Sequence, residues 1–321
     1  MNARSVLVSA AIAIASTAFA LGAGELILRA KNASMKNYDI EMWRYAKELK
    51  RRSDIPVLGH EHVASSSARL QSVDIRIDER GLRGGPVGPR KPGERRILVL
   101  GSSVTLGWGV PEDDTMTARL QRMFAADGKQ VEVLNAGIGN YNAVRYVERF
   151  KRRLSDLDPT DIVVHYFLRD AEVLDAGRDN WLLRHSELAA TTWIAFARYF
   201  GRASEKTLED HYRDVYRHDA QGYREMRAAL HELAAIARER GIRVYLAMTP
   251  DVHDLVDYKF GYIHEDMARV AREEGFVYVD LLPPMRNLTP RQLWSMPGDP
   301  HPNGLGHRLM AEALYPALKG A

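Results

Sequence analysis

The stretch that decides the fold is RILVLGSSVTLGWGV, Arg96 to Val110. Ile97–Leu100 is a short apolar run, Gly101-Ser102-Ser103 follows at once, and a helical pattern runs from about Pro111 to Ala126. Four more apolar runs lie downstream, at Val131–Leu134, Asp161–Phe167, Ile242–Met248 and Phe276–Leu281. Helical patterns alternate with them at about Ala143–Leu154, Gly222–Arg240, His264–Glu274 and Leu305–Leu318. Apolar strands alternating with helices predict a parallel sheet covered on both faces. The expected domain over residues 96–321 is thus a three-layer α/β/α fold with a five-stranded parallel, flavodoxin-like sheet. A segment at about 170–219 interrupts the alternation. Its Trp181-Leu182-Leu183 and Thr192–Phe196 stretches predict a helical insertion flanking the site. That insertion either packs on the domain or forms a lid that lines the substrate or faces a membrane.

Upstream, residues 29–95 read as a polar approach segment, mostly helical over 29–75. It ends in the Gly- and Pro-dense irregular loop GLRGGPVGPRKPG, Gly81 to Gly93. Residues 1–28 read as a membrane anchor or signal segment, expected as a transmembrane helix. No charge falls between Arg4 and Glu25, and about twenty apolar residues span a bilayer as a helix. Ala18-Phe19-Ala20 looks like a small-residue cleavage site, which would release a secreted protein. The apolar stretch runs on to Leu28, which favours an uncleaved anchor. Arg29, Lys31, Lys36 and Arg44 follow the span and argue for a cytoplasmic domain. The signal-like layout argues for export, and the expected placement is a single-pass inner-membrane protein with its domain in the periplasm.

Charge excludes one class of partner. Across 321 residues, 45 Lys and Arg face 42 Asp and Glu, for a net charge of +3. No basic stripe with interleaved aromatics stands out, so nucleic acid is not an expected partner. With no cysteine, disulfides, thiolate metal sites and a Cys nucleophile are excluded.

The chemistry concentrates where ligands bind in open α/β sheets, at the carboxyl ends of strands. Gly101 permits a sharp turn after the first strand, and the helix start beyond it favours developing negative charge. A serine there is both exposed and electrostatically assisted; the plainer reading is an N-capping serine or a phosphate-cradling loop. Neither GxxxxGKS nor GxGxxG is present, nor the GxSxG elbow. After the second strand, Asn135–Asn142 (NAGIGNYN) is rich in small residues that let backbone N–H groups approach a ligand oxygen. Near the C-terminus, GDPHPNGLGH (Gly298 to His307) carries Asp299 two residues before His301. A serine needs a base, and the base needs an orienting group. Asp299, His301 and His307 are alternatively a metal set, but no other ligand cluster supports it, and no metal or organic cofactor is expected.

The order of these segments resembles the SGNH (GDSL-like) hydrolases, over about residues 76–321. Their G-D-S turn is matched by Gly101-Ser102-Ser103, and their last block by DPHPNGLGH. The likeness is to membrane-anchored bacterial members of exopolysaccharide systems, with a G-x-R-G element at Gly81-Leu82-Arg83-Gly84. The resemblance implies Ser103 as nucleophile, His301 as general base and Asp299 as its orienting group. It also implies an oxyanion hole from the N–H groups of Ser103 and Asn140. Three positions depart from the family pattern. Ser102 replaces the Asp before the nucleophile, Asn140 stands where many members have Gly, and Arg169 stands at the oxyanion Asn. A guanidinium there can stabilise an oxyanion or an anionic substrate, or pair with Asp170 or Glu172. The implied activity is a serine esterase that removes O-acyl groups, O-acetyl above all, from a glycan. The alternatives are O-acetyl transfer by the same residues and a glycan-binding or scaffold protein without catalysis. The implied partners are an acylated glycan, the membrane and polysaccharide-assembly proteins.

Overall fold

A computed structural model describes residues 3–33, 37–175, 180–200 and 206–320 of the chain. Lys36, used above for orientation, and residues 176–179 and 201–205 of the expected insertion lie outside them. The chain begins with α1 (Ala3–Asn32) and α2 (Tyr38–Glu48). Two antiparallel pairs follow, β1 (Lys50–Arg52) with β2 (His60–His62) and β3 (Ser66–Leu70) with β4 (Val73–Ile77). Next come β5 (Arg95–Gly101), α3 (Ser103–Leu106), α4 (Met116–Ala126), β6 (Val131–Gly137), α5 (Ala143–Arg149) and β7 (Asp161–Tyr166). Helices α6 (Trp181–His185), α7 (Glu187–Phe200), α8 (Leu208–Val215) and α9 (Gln221–Arg240) lead to β8 (Arg243–Met248). The chain closes with α10 (Gly261–Glu274), β9 (Val277–Asp280), α11 (Pro290–Leu293), β10 (Trp294–Met296), β11 (Asp299–Pro302) and α12 (Gly304–Lys319).

Two compact units form. One comprises Met1–Lys47 and Arg178–Glu205, the other Glu48–Gly177 and Lys206–Ala321. In the larger unit the central sheet has the order β6-β5-β7-β8-β9, with every neighbouring pair parallel. This is the expected flavodoxin-like order, whose switch point lies between β5 and β7. Strand β5 shows why both faces are covered, because alternate side chains point to opposite sides. Ile97 and Val99 pack with Leu120 and Phe124 of α4 and Met310 and Leu314 of α12. Leu98 and Leu100 pack with Tyr146 of α5, Leu230 and Leu233 of α9 and Met267 of α10.

Two expectations need correction. The helix expected over Ala143–Leu154 is α-helical only to Arg149; Phe150–Leu154 continue as a π-turn. The approach segment is not mostly helical, because β1 to β4 occupy much of Lys50–Ile77. Val73-Asp74-Ile75-Arg76-Ile77 does alternate with the strand period of two, burying Ile75 and Ile77. What hid the hairpin is its turn. Gln71 and Ser72 take φ of 48° and 66°, left-handed positions where Asn and Gly are the usual signal.

In the smaller unit, α1 is long and apolar enough to cross a membrane, and among the described residues none buries its most apolar stretch. A membrane span and a signal sequence both take this form.

Candidate active site

The turn after β5 is built by close approach. A Cβ on Gly101 would lie 1.8 Å from Thr105 Oγ1, and one on Gly137 would lie 2.1 Å from the Leu106 nitrogen. Only glycine at both places lets α3 settle against the ends of β5 and β6. Ser103 is the first residue of this single helical turn, and Ser102, buried, is its N-cap residue. The Ser102 carbonyl accepts from Leu106 N–H at 2.9 Å. Arg83 secures the far end: its buried guanidinium donates to the carbonyls of Leu106, Gly107 and Val110. Beneath the turn, His165 lies 2.9 Å from Thr105 Oγ1 and 2.6 Å from Thr249 Oγ1. Burial pushes its imidazole pKa down to about 3, so it is a neutral strut.

The β10–β11 hairpin carries the other half. Asn303 caps α12 by accepting from Leu305 and Gly306 N–H groups, which anchors the segment just after His301. His301 Nε2 is 2.8 Å from Ser103 Oγ, and His301 Nδ1 is 2.6 Å from Asp299 Oδ1. Asp299 is wholly buried and accepts four hydrogen bonds. Oδ1 takes His301 N–H at 3.1 Å and Nδ1; Oδ2 takes Gln71 Nε2 at 2.6 Å and Trp108 Nε1 at 3.1 Å. Burial raises the Asp299 pKa, but the His301 hydrogen bond and charge and the Gln71 amide outweigh it. The net result lies below the usual carboxylate range, so the group stays ionised.

The structure thus brings Ser103, His301 and Asp299 into one hydrogen-bonded chain. His307 is not part of it. Buried in α12, it accepts Met116 N–H on Nδ1 at 3.0 Å, and among the described residues no group of three His, Asp or Glu side chains is placed to hold a metal ion.

The other named residues sit on the flanking loops. Asn140 has φ of 66°, a left-handed conformation uncommon outside glycine. The carbonyl of Gly139, which belongs to the same peptide group as Asn140 N–H, accepts from Lys50 Nζ at 2.8 Å and lies 2.9 Å from His60 Nε2. Arg145 donates to the Asn140 carbonyl at 3.1 Å. Burial, with the charge of Arg145 nearby, pulls the Lys50 ammonium pKa down to about 7. Arg169 is half exposed and donates from Nε to Glu172 Oε2 at 3.2 Å. Its neighbour Asp170 is buried and accepts from Tyr146 Oη and Phe167 N–H. Burial, only partly offset by those bonds, holds the Asp170 carboxyl well above its ordinary range.

Gln71, Trp108, His165, Lys50 and His60 escaped sequence reasoning. Each reaches the site across a long loop closure, such as the 228 positions between Gln71 and Asp299, and none carries a local motif. Arg83 had a signal, the G-x-R-G element, but not its purpose.

A nucleophile, base and carboxylate at the switch point of a doubly wound sheet define a serine hydrolase. The chain belongs to the GDSL-like lipase/acylhydrolase family, whose model matches residues 99–309. No curated protein matches it. Among solved structures it is similar to TesA, at 16% identity over 70% of this chain and 99% of that one, with a TM-score of 0.45. It is also similar to the psychrotrophic esterase EstA from Pseudoalteromonas sp., at 14% identity, 71% and 98% coverage and a TM-score of 0.45. A third is the acetylxylan esterase Axe2 from Geobacillus stearothermophilus, at 15% identity, 71% and 94% coverage and a TM-score of 0.46.

Proposed function

We propose that the chain is a membrane-anchored esterase of the periplasm that removes O-acyl groups, O-acetyl in the first instance, from a glycan. The observation that carries the reading is the continuous chain from Ser103 Oγ through His301 to Asp299. His301 Nε2 takes the hydroxyl proton as Oγ attacks the ester carbonyl. The oxyanion is received by the N–H groups of Ser103 and Asn140. The intermediate collapses as His301 returns the proton to the departing sugar oxygen, leaving an acyl-serine. Water, activated by the same imidazole, then releases the acid. The glycan and the polysaccharide-assembly partners rest on the resemblance to exopolysaccharide-associated members, and the anchor on α1. In this reading Ser102 and Arg169 belong to the substrate-binding part of the site, with the Arg169 guanidinium leaving Glu172 when substrate binds.

The test is product analysis with full-length protein, acetylated oligosaccharide and a non-acetylated acceptor. Free acetate as the main product supports hydrolysis. Acetylated acceptor in excess of acetate assigns the same residues to transfer, and neither product, with the oligosaccharide still bound, assigns the chain to glycan binding.

The Asn140 role makes a separate prediction about Lys50. A cation on the Gly139 carbonyl polarises the N–H at the other end of the same peptide, because hydrogen bonds in series strengthen one another. Lys50→Met is expected to lower kcat by roughly 3- to 10-fold, a fraction of the ~100-fold cost of deleting an oxyanion donor outright, with KM little changed. Thermal stability is expected to hold, since the variant removes a buried charge that is costly to desolvate. Unchanged kcat removes Asn140 N–H from the oxyanion hole.

A further inference from the structure

We infer that α7 and the preceding turn of α6 form a second membrane-binding element, lying along the bilayer interface beside α1. The inference rests on the reading of α1 as a span, and it concerns residues with no part in the acyl chemistry.

Depth along α1 supplies the first argument. Ser5 to Gly24 is a run of 20 uncharged residues, about 30 Å of helix, the thickness of a bilayer's hydrocarbon core. Glu25, the next residue, therefore marks the boundary with the headgroups. The start of α7 is attached at that level. The Glu25 carboxylate accepts the N–H groups of Glu187 and Leu188, each at 3.0 Å, and the Ser186 hydroxyl at 2.8 Å. It thus caps the N-terminus of α7 with an anion, the favourable sign for that end of a helix. One turn nearer the end of α1, Arg29 donates to the His185 carbonyl at 3.0 Å, and about two turns nearer it, Asn32 donates to Glu187 and Thr191.

Composition and exposure supply the second. From Leu188 to Phe200 the only charged residue is Arg198. Helical spacing sets Trp193, Phe196 and Phe200 in one stripe, with ring centroids 6.1 and 4.5 Å apart along it. Trp193, Phe196, Tyr199 and Phe200 are all more than half exposed, and so are Trp181 and Leu182 of α6. A water-facing helix does not keep such a stripe uncovered. Helix α7 has 14 residues, about 21 Å of helix, too short to cross the membrane. An apolar aromatic helix that starts at the headgroup boundary and cannot span has the interface as its place, where Trp and Tyr concentrate. Arg184 in the last turn of α6 and Arg198 in that of α7 add basic side chains to the two helix ends.

The experiment uses full-length protein in nanodiscs whose phospholipids carry bromine at the upper acyl carbons. Of the five tryptophans, Trp43, Trp108, Trp181, Trp193 and Trp294, the inference places Trp181 and Trp193 in reach of the bromine. Brominated lipid is expected to quench a large part of the emission, and Trp181→Phe/Trp193→Phe is expected to abolish most of that quenching while esterase activity stays unchanged. Incorporation into nanodiscs with equal quenching in the wild type and the double variant overturns the inference and leaves α1 as a span. Failure to incorporate overturns both. Loss of quenching on adding acetylated oligosaccharide, or crosslinking of two copies through Phe196→Cys, shows a glycan or a second chain on this face and overturns the bilayer assignment.

Discussion

Ser103→Ala, His301→Ala and the double variant are expected to lose the same activity, each on the order of 10⁴- to 10⁶-fold in kcat. The reason is that the two side chains perform one step. Ser103 Oγ, 2.8 Å from His301 Nε2, is a weak nucleophile while it keeps its proton, and His301 has no proton to take once the hydroxyl is gone. Removing either ends acyl transfer through serine, so removing the second costs nothing more. The residual rate is that of binding and the oxyanion donors. Independent contributions would instead multiply, and a double variant far below both singles would contradict the account. Ser103 is half-buried and holds α3 through its backbone, not its hydroxyl, so Ser103→Ala is expected to unfold at the wild-type temperature.

Asp299→Asn is expected to fall by about 10⁴-fold in kcat, as in a serine protease whose triad Asp is replaced, and to unfold about 1–3 kcal/mol more easily. All four groups on Asp299 are donors: His301 N–H, His301 Nδ1, Gln71 Nε2 and Trp108 Nε1. An amide has one acceptor oxygen, and its NH₂ must face one of the two pairs. Turned to His301, it binds a bare Nδ1 and moves the proton to Nε2, where the ring can no longer accept from Ser103. Turned the other way, it faces Trp108, whose indole N–H cannot become an acceptor; the Gln71 amide can flip, but the indole stays unpaired. The first arrangement costs rate and also leaves the His301 backbone N–H facing a donor, and the second costs stability. The sign of the pH effect follows from the carboxylate. Its folded pKa lies below the unfolded value, so its stabilisation is present above the ordinary Asp range and lost as pH falls through the folded value. Chemical denaturation of wild type and variant across pH 2–6 is expected to give curves that converge toward the acid end.

Much of this is legible in the sequence. The five strands are continuous apolar runs because a parallel sheet with helices on both faces buries each side of every strand, and such runs survive in a single sequence. Ser103, Asp299 and His301 announce themselves by residue type, by adjacency to strand ends and helix starts, and by order along the chain. The support around them does not. Gln71 reaches Asp299 from a hairpin turn whose left-handed residues are neither Gly nor Asn, so the turn had no local signal. Trp108 is buried in the core, and that its N–H also meets Asp299 is a property of the closed fold. Arg83 sits in a stretch that reads as irregular because its partners are carbonyls, which carry no side-chain code. Lys50 and His60 act on a carbonyl too. For Arg169, the sequence allowed pairing with Glu172 or contact with the oxyanion, and the structure holds the Glu172 pair.

The central claim is that Ser103 is the nucleophile, activated by His301. Its most direct measurement is reaction of the full-length protein with a fluorophosphonate, followed by peptide mapping of the adduct. The account predicts one equivalent of phosphonate on Ser103, none on Ser103→Ala, and labelling slowed by orders of magnitude on His301→Ala. An adduct on Ser102, or labelling that persists unchanged in Ser103→Ala, would contradict it.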